Sequence, residues 1–214
     1  KEIKQVTNQS GAERSPVISP NGKLIAFSKE ERRPLAYSPD RIAIMNLDGT
    51  NIRMLTNDLD GDASNIFWSS DSKSLYYTYD EQGIRKIGEA TLKGKLSYVA
   101  EGLGGTTLGR PYLSGGFHIA SNTLAFTHGT SERPANIGVI NSDQVEILTA
   151  LNDDLLGHRK LGAVNEIKYQ SSFDGQEIQG WYITPPDFDP TKKYPLILEI
   201  HGGPHLAYGP YFSA

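Results

Sequence analysis

Near the end of the chain, the apolar run "LILEI", Leu196 to Ile200, leads directly into His201-Gly202-Gly203-Pro204. A nearly continuous apolar run suits a strand buried on both faces of a sheet, so it predicts a strand that delivers a glycine turn. Such a turn can do electrostatic chemistry. Without a Cβ, glycine lets a reacting acyl group approach the backbone and permits angles that aim an N–H at a developing negative oxygen. Pro204 carries no backbone donor, which leaves Gly202 and Gly203 as the oxyanion-binding candidates. The same residues would also serve as a plain strand-ending turn.

Chemistry that generates an oxyanion needs a nucleophile, and no Gly-x-Ser-x-Gly sequence occurs. Ser114 has Tyr112 where the first glycine should stand, and Ser131 has Arg133 where the second should. His201 and His205 are four apart, a zinc spacing on a helix, but the Gly-Gly-Pro between them argues against helix. "DLDGD", Asp58 to Asp62, lacks the glycine and the closing glutamate of a calcium loop and predicts a solvated turn. "GLGGTTLG", Gly102 to Gly109, has neither a P-loop ending nor dinucleotide-binding spacing and is expected to be a flexible inter-blade loop. No metal and no cofactor are predicted. Two loops carry Arg-Pro, at Arg33-Pro34 and Arg133-Pro134. If they share a face with the catalytic unit, Arg33 or Arg133, with Arg32 beside the former, could bind a substrate carboxylate or bridge domains; a solvated charged loop is the plainer reading.

Composition narrows the partners. The 214 residues hold 21 basic and 25 acidic side chains, interspersed, for a formal charge of −4. That balance offers no footprint for nucleic acid or an anionic membrane. No apolar run approaches the roughly 18 residues that span a bilayer. There are no cysteines, which excludes thiol catalysis and disulfides and suits a soluble protein of either cytoplasm or periplasm.

The elements that must position the glycine turn show up as internal repeats. "SPNGKLIAFS", from Ser19, recurs as "SSDSKSLYYT", from Ser69, and more weakly in "SGGFHIASNTLAFT", so that Phe27, Tyr77 and Phe126 stand at steps of 50 and 49. A second landmark ends at Thr7, Thr56 and Thr149, at intervals of 49 and 93. The wide interval hides one unit, whose landmark falls near "KLSYVAEG", Lys95 to Gly102, with its threonine lost. Each unit of roughly 40 to 50 residues contains about four β-rich segments parted by turn signals, the pattern of a β-propeller blade. The fold class is therefore mainly β, a partial β-propeller of about three four-stranded blades, at 8–57, 58–102 and 103–150, within a unit spanning 1–160. Three blades do not close a ring, so further blades are expected N-terminal to Lys1. Open blade faces and edges would favour self-association.

The rhythm stops near Leu151 to Glu166. A second unit, 161–214, opens with a predicted hairpin around Asp174-Gly175, ended by Pro185-Pro186. A propeller followed by "SSFDGQEIQGWYITPP" and "YPLILEIHGGPH" resembles the prolyl oligopeptidase family of serine peptidases, in particular its acylaminoacyl-peptidase-like branch. The turn after an early strand is similar to the oxyanion loop of α/β-hydrolases.

That resemblance implies a propeller capping an α/β-hydrolase domain, with 161–214 forming the first strands of the latter. It implies hydrolysis of short peptides by a Ser-Asp-His triad, whose members in such folds follow the oxyanion loop and would lie beyond Ala214. Gly203 would offer the oxyanion-hole N–H, Gly202 being the weaker candidate, while His201 and Pro204 would shape the loop. These 214 residues alone are then expected to be inactive. The alternative is a non-catalytic propeller binding module of the Tol-associated kind.

Overall fold

The computed structural model describes residues 2–30, 37–121, 123–141, 144–203 and 205–213. Its strands are β1 (Ala12–Ile18), β2 (Leu24–Glu30), β3 (Asp40–Asn46), β4 (Arg53–Met54), β5 (Ser64–Trp68), β6 (Ser74–Glu81) and β7 (Ile84–Thr91). They continue as β8 (Leu96–Leu103), β9 (Phe117–Ala120), β10 (Thr123–His128), β11 (Asn136–Asn141) and β12 (Gln144–Ile147). After one short helix, α1 (Asp153–Leu156), come β13 (Ala163–Gln170) and β14 (Glu177–Thr184).

The first twelve strands form three antiparallel four-stranded blades, β1–β4, β5–β8 and β9–β12, the last two joined by a single pairing of Leu103 with His128. The repeated turn is built the same way in blades one and two. Ser19 Oγ accepts the N–H groups of Lys23 and Leu24, and Ser69 Oγ those of Lys73 and Ser74. Gly22 and Ser72 occupy the same left-handed position, at φ 67° and 62°. Ser72 is stabilised there by a contact that Gly22 could not make, since its Oγ accepts the Asn21 N–H at 3.1 Å and ties the two blades together.

Alternation along the strands covers both faces of a blade. Ala26, Ile42, Ile44, Ile66, Trp68, Leu75 and Tyr77 are packed into one cluster, contributed by blades one and two. The Trp68 indole N–H reaches across to the Val17 carbonyl at 3.0 Å. Ile87, Ala100, Leu103, Phe117, Leu124 and Phe126 form the matching cluster of blades two and three, with Phe67 and Tyr76 against it. Phe27, Ala43 and Met45 make a third cluster, which Val6 from the N-terminal segment helps to cover. At the other end β12 is exposed along its whole length.

The aromatic landmarks have a structural reason in the residues that face them across the blade. Phe27 pairs with Ala43, Tyr77 with Gly88 and Phe126 with Gly138, always on the second and third strands of a blade. The small partner leaves room for the ring. A Cβ at Gly88 would lie 2.7 Å from the Tyr77 ring, and one at Gly138 2.9 Å from that of Phe126.

Two expectations fail locally. Gly102–Gly109 is not a free loop: residues to Leu103 belong to β8, and Leu103, Gly104 and Gly105 are buried. Leu196–Ile200 is not a buried strand either, since among the described residues it has no ladder partner and its four apolar side chains are 77–90% exposed. A strand becomes regular through neighbours, and β13 and β14 pair only with each other. The hairpin around Asp174-Gly175 forms as expected, with Gly175 at φ 70°.

Two measurements check this account. Gly88→Ala should lower stability by about 1–3 kcal/mol, read as a lower urea midpoint, because the ring of Tyr77 must leave its place. His128 lies against Gly102 and edge-on to Phe126, and burial holds its imidazole below the ordinary value. The unfolded chain therefore binds this proton more readily, so stability is full above the ordinary imidazole pKa and falls as the pH drops through it. Comparing about pH 7.5 with about pH 5.5, His128→Gln should lose less stability than the wild type.

Candidate functional site

The glycine turn lies in a segment that leaves the hairpin and returns to the propeller. Gly203 sits at φ 156°, and a Cβ on it would stand 2.9 Å from both the His205 and Leu206 nitrogens, which reserves the position for glycine. Among the described residues neither the Gly202 nor the Gly203 N–H has a hydrogen-bond acceptor. Both are exposed. Two free donors in one turn can receive an anionic oxygen, although oxyanion stabilisation gains its strength only where water is excluded. Pro204 and Arg33 lie outside the described residues, as does Arg32.

The side chains around the turn have contacts of their own. His201 Nδ1 is 3.0 Å from the Gly202 carbonyl oxygen, and its ring lies 5.2 Å from that of Tyr208. His205 stacks on Tyr37 at 5.2 Å and 23°, a contact with the connection between β2 and β3. Burial, with the Asp62 carboxylate beside it, pushes the Tyr37 hydroxyl up to about 12, so it remains neutral at physiological pH. The two histidines thus have separate aromatic partners. Among the described residues no group of three or more His, Cys, Asp or Glu side chains could hold a metal ion.

Upstream of the turn, Glu199 pairs with Arg110, and the Tyr208 hydroxyl donates to the same carboxylate at 3.0 Å. Trp181 of β14 donates its indole N–H to the Tyr208 carbonyl at 3.1 Å, and Gln179 donates to the Gln82 carbonyl at 3.0 Å. Hairpin and turn are therefore both attached to the second blade, whose β6–β7 connection contains Gln82 and Gly83. A Cβ on Gly83 would lie 2.8 Å from the Trp181 ring, so this tight turn is also what lets the indole approach.

Arg133 has partners of its own. Its Nε donates to Asp153 of α1 at 2.9 Å and its Nη1 to the Glu132 carbonyl at 2.9 Å. Asp153 would thus share the guanidinium with any substrate carboxylate that reaches it. Trp181 belongs to the "QGWYITPP" stretch that carries the resemblance, whereas nothing in the local spacing of Arg110 and Tyr208 differs from that of ordinary surface residues.

No family model matches the chain. It is similar to dipeptidyl-peptidase 5 of Porphyromonas gingivalis, 27% identical over 206 residues, covering 95% of this chain and 29% of that protein. Dipeptidyl-peptidase 5 of Aspergillus fumigatus is 28% identical over 91% of this chain and 27% of its own length. The chain thus spans less than a third of the curated relatives it matches. Among solved structures, the acylaminoacyl peptidase of Pyrococcus horikoshii superposes with a TM-score of 0.70 at 22% identity, over 90% of this chain and 28% of that one. An acylaminoacyl peptidase in complex with Z-Gly-Gly-Phe-chloromethyl ketone gives a TM-score of 0.72 at 22% identity, over 89% and 28%. These likenesses are to dipeptidyl-peptidases in sequence and to acylaminoacyl peptidases in fold. The resemblance to the prolyl oligopeptidase family of serine peptidases accordingly holds across the chain, in sequence and in fold.

Proposed function

We propose that these 214 residues are the propeller-bearing part of a serine peptidase that cleaves short peptides, of the acylaminoacyl or aminopeptidase type, with the Ser-Asp-His triad supplied by residues outside the chain. The observation that carries this reading is the similarity to a dipeptidyl-peptidase over 95% of the chain, through the segment that bears His201-Gly202-Gly203. In this role Gly203 presents its N–H to the oxyanion of the tetrahedral intermediate, and Gly202 keeps the approach clear. The carbonyl of the scissile bond gains negative charge as the serine attacks, and a fixed donor stabilises that charge more than it does the substrate. Exposed as it is here, the turn needs a covering surface to exclude water. Arg33 and Arg133 are proposed to contact the substrate carboxylate, Arg133 alongside its Asp153 partner.

In the peptidase that contains this chain, Gly203→Ala should lower kcat by about 10²–10³ with little change in KM, the signature of an interaction made in the transition state. The 214-residue chain alone should not hydrolyse an aminoacyl or acyl-aminoacyl anilide. Turnover that copurifies with this chain would refute the assignment of the triad to other residues. The exposed strand β12, with Val145 and Ile147 uncovered, favours association of the chain with itself. Light scattering should then give a mass above the 23.5 kDa monomer, rising with concentration.

A further inference from the structure

In the first and third blades a threonine closes the outer strand. Thr56 Oγ1 accepts the Ile42 N–H at 2.9 Å, and Thr149 Oγ1 accepts the Ile137 N–H at 2.9 Å. Aligning the blades on their aromatic pairs, Phe27–Ala43, Tyr77–Gly88 and Phe126–Gly138, puts Ile87 and Ala100 at the corresponding places of the second blade. Alanine has no oxygen with which to end the ladder. Ile87 pairs with Ala100 directly, and β8 runs on to Leu103. Beyond this continuation, the N–H of Arg85 donates to the Tyr211 hydroxyl at 3.1 Å.

Tyr211 comes from the segment that carries the glycine turn and is 6% exposed. Its ring needs the absence of side chains around it: a Cβ on Gly104 would lie 2.3 Å away, and one on Gly209 2.8 Å. The Arg85 side chain beside it is held by Asp80 through two hydrogen bonds of 2.7 and 2.9 Å. Burial pushes the Tyr211 hydroxyl up, which keeps it protonated at neutral pH. Backbone bonds flank the ring on either side, from the Gly209 N–H to the Pro111 carbonyl at 3.0 Å and from the Phe212 N–H to that of Thr130 at 2.8 Å.

We infer that Tyr211 is the anchor of an intrachain docking site, a glycine socket created by the loss of the closing threonine in the second blade, which seats the Gly202-Gly203 segment on the propeller. Tyr211 is a positioning residue. It touches no reacting group and acts by fixing the chain eight residues downstream of Gly203. The use of the socket rests on the peptidase reading, whereas its existence does not.

Hydrogen exchange on the 214-residue chain tests it without turnover. In Tyr211→Ala and in Gly104→Ala, the Gly209 and Phe212 amides should exchange about tenfold faster or more, while those of β2 and β3 keep their rates. Tyr211→Phe retains the ring, so it should preserve protection at Gly209 and Phe212 and lose it only at Arg85. The double variant Gly104→Ala with Tyr211→Ala should be no faster than either single one, because the added methyl then fills the space left by the ring. Trp181, bonded to the Tyr208 carbonyl, should shift its emission to the red with Tyr211→Ala and not with Tyr211→Phe. Unchanged exchange at Gly209 and Phe212 in both single variants would overturn the inference, as would additive effects or equal acceleration in β2 and β3. An inactive parent peptidase with these exchange results would remove the proposed function and leave the docking site standing.

Discussion

A four-stranded sheet with apolar side chains on both faces must be covered on both, and this requirement organises the whole chain. The second blade meets it from two sides, sharing Leu75 and Tyr77 with the first blade and Ile87 and Leu103 with the third. Each blade also makes room inside itself, by setting an aromatic ring on its second strand across from glycine or alanine on its third. Blade spacing therefore depends on a few positions where a side chain is missing. Gly88 and Gly138 matter for what they leave empty.

The second blade departs from its neighbours where the C-terminal segment is attached. Ala100 replaces the threonine, β8 lengthens, and the extension delivers Leu103, Gly104 and Gly105 to a buried place beside the returning C-terminal segment. Arg110 with Glu199, Trp181 with Tyr208, and Tyr37 with His205 add contacts from one side of the segment to the other. A glycine turn that would stabilise charge must be held still to do so, since a donor that moves with the substrate stabilises nothing selectively. The propeller contributes that rigidity here through ordinary packing and backbone hydrogen bonds.

Much of this was legible in the residues, and the failures are instructive. Repeats at steps of 50 and 49 correctly implied blades, and the lost threonine near Lys95 to Gly102 is Ala100, where a strand continues instead of ending. The glycine cluster after it reads as flexible because glycine is permissive in isolation, while Gly104 and Gly209 packed against the Tyr211 ring make a buried socket. Leu196–Ile200 departs from expectation for the opposite reason. Its apolar content correctly signals burial in a sheet, but burial needs neighbouring strands, and none of the described residues provides them.

Composition and periodicity by themselves determined the class: short β-rich units, tight turns, a Gly-Gly turn and no nucleophile elbow within 214 residues. These follow from local rules, because turn chemistry and strand alternation act over a few residues. Only the tertiary structure decided that Tyr211 reaches Arg85, 126 positions away, that His205 finds Tyr37, and that Arg133 pairs with Asp153. Such contacts depend on how whole blades stack, and their residue types are common enough on any surface that no spacing along the chain announces them.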